Sequence, residues 1–225
     1  MQNNIRSQVA SRGAESIIAT HAVLRNTYLL LALTLVFSAV CAGLSMMANA
    51  PYPGILVTLV GFYGLMFLTY KTSNSIWGLV STFAFTGFVG YTLGPLLNAV
   101  MAGSHQGSQI IMTALGGTGL IFFALSGYVL FTRKDMSFMT GTLVVGTIIG
   151  LFVMIAGLIF KTPAMMLAVS CLFMLISSGW ILWQTSQIIH GGERNYILAT
   201  IGLYVQLYNI FVSLLSLLSA FSNRE

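Results

Sequence analysis

The chain has 225 residues, 57% of them hydrophobic and only 6% charged, and its mean hydropathy is +0.91. Soluble domains carry roughly 25% charged residues, so this composition cannot clothe a water-exposed surface, and the chain belongs in a bilayer. A net charge of +5 does not point to nucleic acid, because the basic residues are scattered at segment ends and form no patch or stripe of the kind a polyanion requires.

Residues 1–26, MQNNIRSQVASRGAESIIATHAVLRN, hold Arg6, Arg12, Glu15 and Arg25 ahead of the first apolar run. A cleavable signal has an apolar region of about 7–15 residues. The run here is longer and follows a polar stretch, so the expectation is a retained cytoplasmic tail, flexible or lying on the membrane as an amphipathic segment. A spanning helix needs roughly 20 mostly apolar residues. That ruler predicts seven spans, over 27–48, 53–70, 75–99, 109–132, 137–160, 163–189 and 197–221. The predicted class is an all-α integral membrane protein: a tail over 1–26, a seven-helix domain over 27–221 and a short tail over 222–225. Pro53 and Pro163 stand near helix starts, where a missing N–H is tolerated. Pro51 falls in the first loop, and Pro95, inside the third span, predicts a kink.

Lys and Arg in the short loops orient such a chain. With the N-terminus inside, the cytoplasmic segments hold Arg6, Arg12, Arg25, Lys71, Arg133, Lys134 and Arg194, and the outer ones hold Lys161 and Arg224. The expectation is a cytoplasmic N-terminus and an outer C-terminus. The pairs Gly90/Gly94 and Gly146/Gly150 have the small-xxx-small spacing that lets helix backbones approach. ALGGTGLIFFALSG (114–127) has the glycines of a phosphate loop but no preceding strand and no Lys-Ser/Thr, so close helix packing is its expected role.

Chemistry has few places to reside. The four acids, Glu15, Asp135, Glu193 and Glu225, all lie outside the apolar runs, so paired carboxylates for acid–base work or proton relay are missing from the membrane. His21, His105 and His190 fall in separate segments and make no expected metal site. Cys41 and Cys171 are expected to be small buried apolar residues. No HExxH or GxSxG motif is present, and no enzyme, cofactor or metal is expected. TRKDMSF (132–138) is the densest charge cluster. Arg133 and Lys134 fit a cytoplasmic turn and Asp135 a cap for the next helix, with partner docking as the other use of the segment.

Polar residues inside the last two spans remain. Gln184 and Gln206 are expected at comparable depth on neighbouring antiparallel helices, close enough for their amides to face each other. Gln206 and Asn209 share a helix face at i, i+3. One reading is an amide clamp that sets helix register; the other is the lining of a gated cavity.

FTGFVGYTLGPLL (85–97), ALGGTGLIFFALS (114–126), TRKDMSF, ILWQTSQIIHGGERNYI (181–197) and LYVQLYNIFVSLLSLL (203–218) together resemble, in order, the Bax inhibitor-1/YccA family. The resemblance covers nearly the whole chain from HAVLRNTYLLLALTLVFSA onward. It implies a seven-helix bundle with the last helix near the centre. Some members resemble pH-gated calcium leak channels, in which an Asp on helix six and another on helix seven share a proton. Two carboxylates in a low dielectric cannot both ionise, which lifts one of them toward neutrality. By resemblance those positions fall at Gln184 and Gln206, and amides neither titrate nor supply the negative charge that calcium favours. The alternative function is therefore an ion leak with weakened or absent pH gating and weak cation binding. The bacterial branch of the family implies a modulator, and substrate, of the membrane-anchored protease FtsH in the inner membrane, with the lipid bilayer as the other partner.

Overall fold

A computed structural model of the chain describes the backbone of residues 2–160 and 162–222, and the side chains of 21–157, 159–160 and 162–222. Arg6, Arg12, Glu15, Lys161, Arg224 and Glu225 lie outside the described side chains. Seven α-helices make the fold: α1 (Gln2–Met47), α2 (Ile55–Thr72), α3 (Ile76–Gly103), α4 (Gly107–Thr132), α5 (Thr140–Phe160), α6 (Pro163–Ile189) and α7 (Tyr196–Ser222). A 3-10 turn over Ser137–Met139 leads into α5, and no strand occurs among the described residues. Each helix carries a stretch long and apolar enough to cross a membrane. The chain is thus an all-helical, multi-pass membrane protein.

The seven spans fall within a few residues of their expected limits, except at the first. There α1 runs from Gln2 without a break at residue 26. The backbone of residues 2–26 is thus continuous with that of the first span. Pro163 opens α6 behind an extended Thr162. α2 starts later than expected, at Ile55, because Gly54 sits at φ 88 and ends the preceding loop.

Successive helices alternate in direction. The turns after α2, α4 and α6 lie at one end of the bundle, together with Arg25, Lys71, Arg133, Lys134 and Arg194. The other turns lie at the opposite end, where Ser104 Oγ and Ser222 Oγ are 3.2 Å apart. The spanning part of α1 therefore begins at the basic end, and α7 finishes at the opposite one.

α7 is the axis. It packs against α1, α2, α3, α4 and α6, whereas α5 touches only α6 and the 3-10 turn. Its buried residues, among them Ile197, Ile201, Leu203, Tyr204, Leu207, Ile210 and Phe211, point in several directions round the helix, as an enclosed helix requires. Around it gather Leu31 of α1, Phe85 and Val89 of α3, Phe122 of α4 and Ile181 of α6.

The most extensive contact joins α1 to α3, and the sequence explains it. A Cβ on Gly90 would overlap Ser38, and one on Gly94 would overlap Ser45, so the bare glycines admit α1. Pro95 has no N–H and leaves the carbonyl four residues back, that of Tyr91, without its helical donor. Ser45 Oγ donates to that carbonyl at 2.8 Å, and α3 continues through the proline. Gly146 and Gly150 admit Ile176 and Phe173 of α6. In the 114–127 run only Gly117 serves close packing, against Leu214, while Gly116, Gly119 and Gly127 meet nothing within 4 Å. Cys171 faces outward and Cys41 is half-buried, both as free thiols, so the expectation of two buried cysteines does not hold.

Candidate functional site

Gln184 of α6 lies against α7, but not in the expected pairing with Gln206. Gln184 is half-buried and its Nε2 donates to the Ala199 carbonyl at 3.3 Å. Its amide lies over Gly202, where a Cβ would overlap it. Gln184 therefore registers with the first turns of α7, one turn short of Gln206. The amide needs the gap that a glycine leaves, and Gly202 offers it where Gln206 cannot. Gln206 and Asn209 are also half-buried, and their side chains form no hydrogen bond among the described residues.

A second polar level was not anticipated from the sequence. Tyr204, 2% exposed, donates its hydroxyl to the Thr86 carbonyl of α3 at 3.2 Å. Ser38 of α1 lies 2.6 Å from the same hydroxyl oxygen and donates to it, which satisfies both groups. Toward the basic end, Thr200 Oγ1 lies 2.7 Å from the Tyr196 carbonyl and 3.2 Å from that of Thr27. One α7 face thus ties α1 and α3 to the axis. The only sequence signal was a Tyr within a span, and hydroxyls are too common in these spans to single it out.

At the basic end the loops are cross-linked. Asp135 Oδ1 accepts the Ser137 amide at 2.9 Å and its hydroxyl at 2.6 Å, a local turn one residue ahead of Met136, which holds the N-cap position of the 3-10 turn without a side-chain bond. These two donors hold the Asp135 carboxyl below its ordinary value of 3.8, the hydroxyl contributing most. Gln187 Nε2 donates to Ser137 Oγ at 3.0 Å, and Ser186 Oγ accepts the Met136 amide at 2.9 Å. The 133–137 segment is thereby latched to the end of α6, with Arg133, Lys134 and Asp135 exposed. Asn195 performs the same service for α7. Its Oδ1 accepts the Ile197 amide at 2.9 Å, an N-cap contact. Its Nδ2 donates to the Ser73 carbonyl and to Asn74 Oδ1, each at 3.1 Å, across to the α2–α3 turn.

Amides and hydroxyls can bridge helices, but they cannot store or release a proton near neutral pH. Among the described residues no three His, Cys, Asp or Glu side chains converge. His21 and His190 belong to the basic end and His105 to the other.

Residues 20–223 match the family described as inhibitor of apoptosis-promoting Bax1. The chain is 56% identical to a protein of Escherichia coli (strain K12) named modulator of FtsH protease YccA, over 96% of this chain and 97% of that one. It has the same identity and coverage to the inner membrane protein YccA of Escherichia coli O6:H1. An uncharacterized membrane protein of Vibrio cholerae is 41% identical over 94% of this chain and 95% of its own. The expected central position of the last helix and these matches agree: the chain belongs to the Bax inhibitor-1/YccA family.

Proposed function

We propose that this chain is a modulator of the FtsH protease in the inner membrane, and a substrate of it, and that it acts by interaction and not as an enzyme. The observation that carries this is the 56% identity, along 96% of the chain, to a protein named for that activity. The surface offered to the protease is the basic end, where Arg133, Lys134 and Asp135 stand exposed on a latched segment. That end faces the cytoplasm, in keeping with the basic residues gathered there. Residues 2–20 extend α1 beyond the first apolar span and are the segment FtsH engages.

Gln184, seated over Gly202, sets the register of α6 and α7, and the amides of Gln184, Gln206 and Asn209 do not gate a pore, since none of them titrates. Supplied in rising amount beside FtsH, the chain is expected to slow degradation of a second membrane substrate, and deletion of residues 2–20 is expected to slow its own turnover. Unaltered degradation of the second substrate would refute the modulator role, and unaltered turnover of the truncated chain the engagement of that segment. In liposomes loaded with a calcium dye, the protein is expected to give no pH-dependent flux.

A further inference from the structure

We propose that the basic end holds a binding groove for the headgroup of an anionic phospholipid, between α1 and α4. The two helices make no backbone contact, and between them lies a cavity of about 700 Å³ lined by His21, Leu24, Arg25, Tyr28 and Leu130, among others. His21, Arg25 and Tyr28 follow at i, i+4 and i+7, so one face of α1 presents them together. Leu130 lines it from α4, and Arg25, exposed on α1, is its cation.

The groove is closed toward the bilayer interior by the Tyr28 ring, 5.7 Å from that of Phe122. The Tyr28 hydroxyl is enclosed and finds no hydrogen-bond partner among the described residues. An orphaned donor in such a place costs free energy unless an acceptor arrives. A phosphodiester with its glycerol oxygens supplies that acceptor, and its charge matches Arg25. Basic pockets between spanning helices are where acidic headgroups bind.

Size and lining decide between a lipid and a free ion. The volume lies in the roughly 300–1,000 Å³ range of sites for whole small molecules, far more than one phosphate fills. Leu24 and Leu130 would lie idle beside an inorganic ion, but they suit the start of acyl chains. The inference does not depend on the proposed function or on which leaflet the basic end occupies.

Native mass spectrometry of the full chain, released from detergent with phosphatidylglycerol, cardiolipin or phosphatidylcholine, tests it. The anionic lipids are expected to remain bound and phosphatidylcholine to leave. Arg25→Gln is expected to weaken retention about fivefold, the effect of one cation beside an acidic headgroup. Tyr28→Phe keeps the ring against Phe122 and is expected to weaken retention as well. Lys71→Gln, a charge loss at the same end but outside the groove, is expected to leave it unchanged. Equal retention of phosphatidylcholine, or equal loss in Lys71→Gln and Arg25→Gln, would overturn the site. If inorganic phosphate protects the protein from heat as well as phosphatidylglycerol does, the site takes a free ion and the lipid assignment falls.

Discussion

Ser45 and Pro95 work as one unit although they sit on different helices, since the hydroxyl of one replaces the donor that the other lacks. Ser45→Ala strands the Tyr91 carbonyl in a water-poor interior and is expected to cost about 1–2 kcal/mol in thermal unfolding of the detergent-solubilised protein. In a Pro95→Ala background, which restores the N–H, the same substitution is expected to cost much less, and a double-mutant cycle reads the difference. Gly202 and Gln184 make a second such unit. Gly202→Ala is expected to destabilise by about 1–3 kcal/mol through overpacking, and by clearly less when Gln184→Ala has emptied the space. Equal penalties in both backgrounds would detach Gln184 from Gly202. Neither unit was legible before the fold was known. The spacing of Gly90 and Gly94 announces close approach but not the partner, and helical rise counted from a loop pairs the helix-six amide with Gln206 because it ignores which residue leaves room.

Helices differ in how much of the bundle rests on them. α7 is enclosed and α5 is peripheral, so equal truncations should be unequal in cost. Leu203→Ala, at a fully buried site, is expected to lose about 2–4 kcal/mol through an unfilled cavity. Phe152→Ala on α5, where the ring is 69% exposed, is expected to stay within about 0.5 kcal/mol. The turn between α4 and α5 adds a pH dependence. Because the Asp135 carboxyl is held below its ordinary 3.8, its contribution is complete above that value and is lost as pH falls through the lower, folded one. Amide exchange at Ser137, corrected for intrinsic rates, is expected to speed up on acidification through that window and to become indifferent to it in Asp135→Asn. Elements of this kind were largely readable, since hydropathy over 20 residues is a strong signal. Their limits shifted where backbone chemistry intervened, as at Gly54.

At the scale of the molecule, seven alternating helices start the first span at one face and finish α7 at the other. Reporters fused to either end are expected to report from different compartments, the N-terminal one from the cytoplasm, and a shared compartment would undo the orientation. Sequence reached this far because membrane-spanning segments are counted by composition alone. The central place of α7 came instead from a resemblance to a family, and its physical cause, apolar and hydroxyl side chains on several faces of one helix, became visible only in three dimensions.

The tie between α1 and α3 has a mechanical side. Both helices start at the basic end and run parallel, and Ser45, which donates to the Tyr91 carbonyl, and the Met46 carbonyl, which accepts Asn98 Nδ2 at 3.1 Å, sit in the far half of α1, as does Ser38, whose own bond goes to Tyr204 of α7. A tug on the N-terminus would travel along the rod and reach these bonds together, in shear, with glycine-seated serines as ratchet teeth. A tug on the C-terminus would instead draw the axle out of the wheel, so the force needed to dismantle the bundle is expected to depend on which end is gripped.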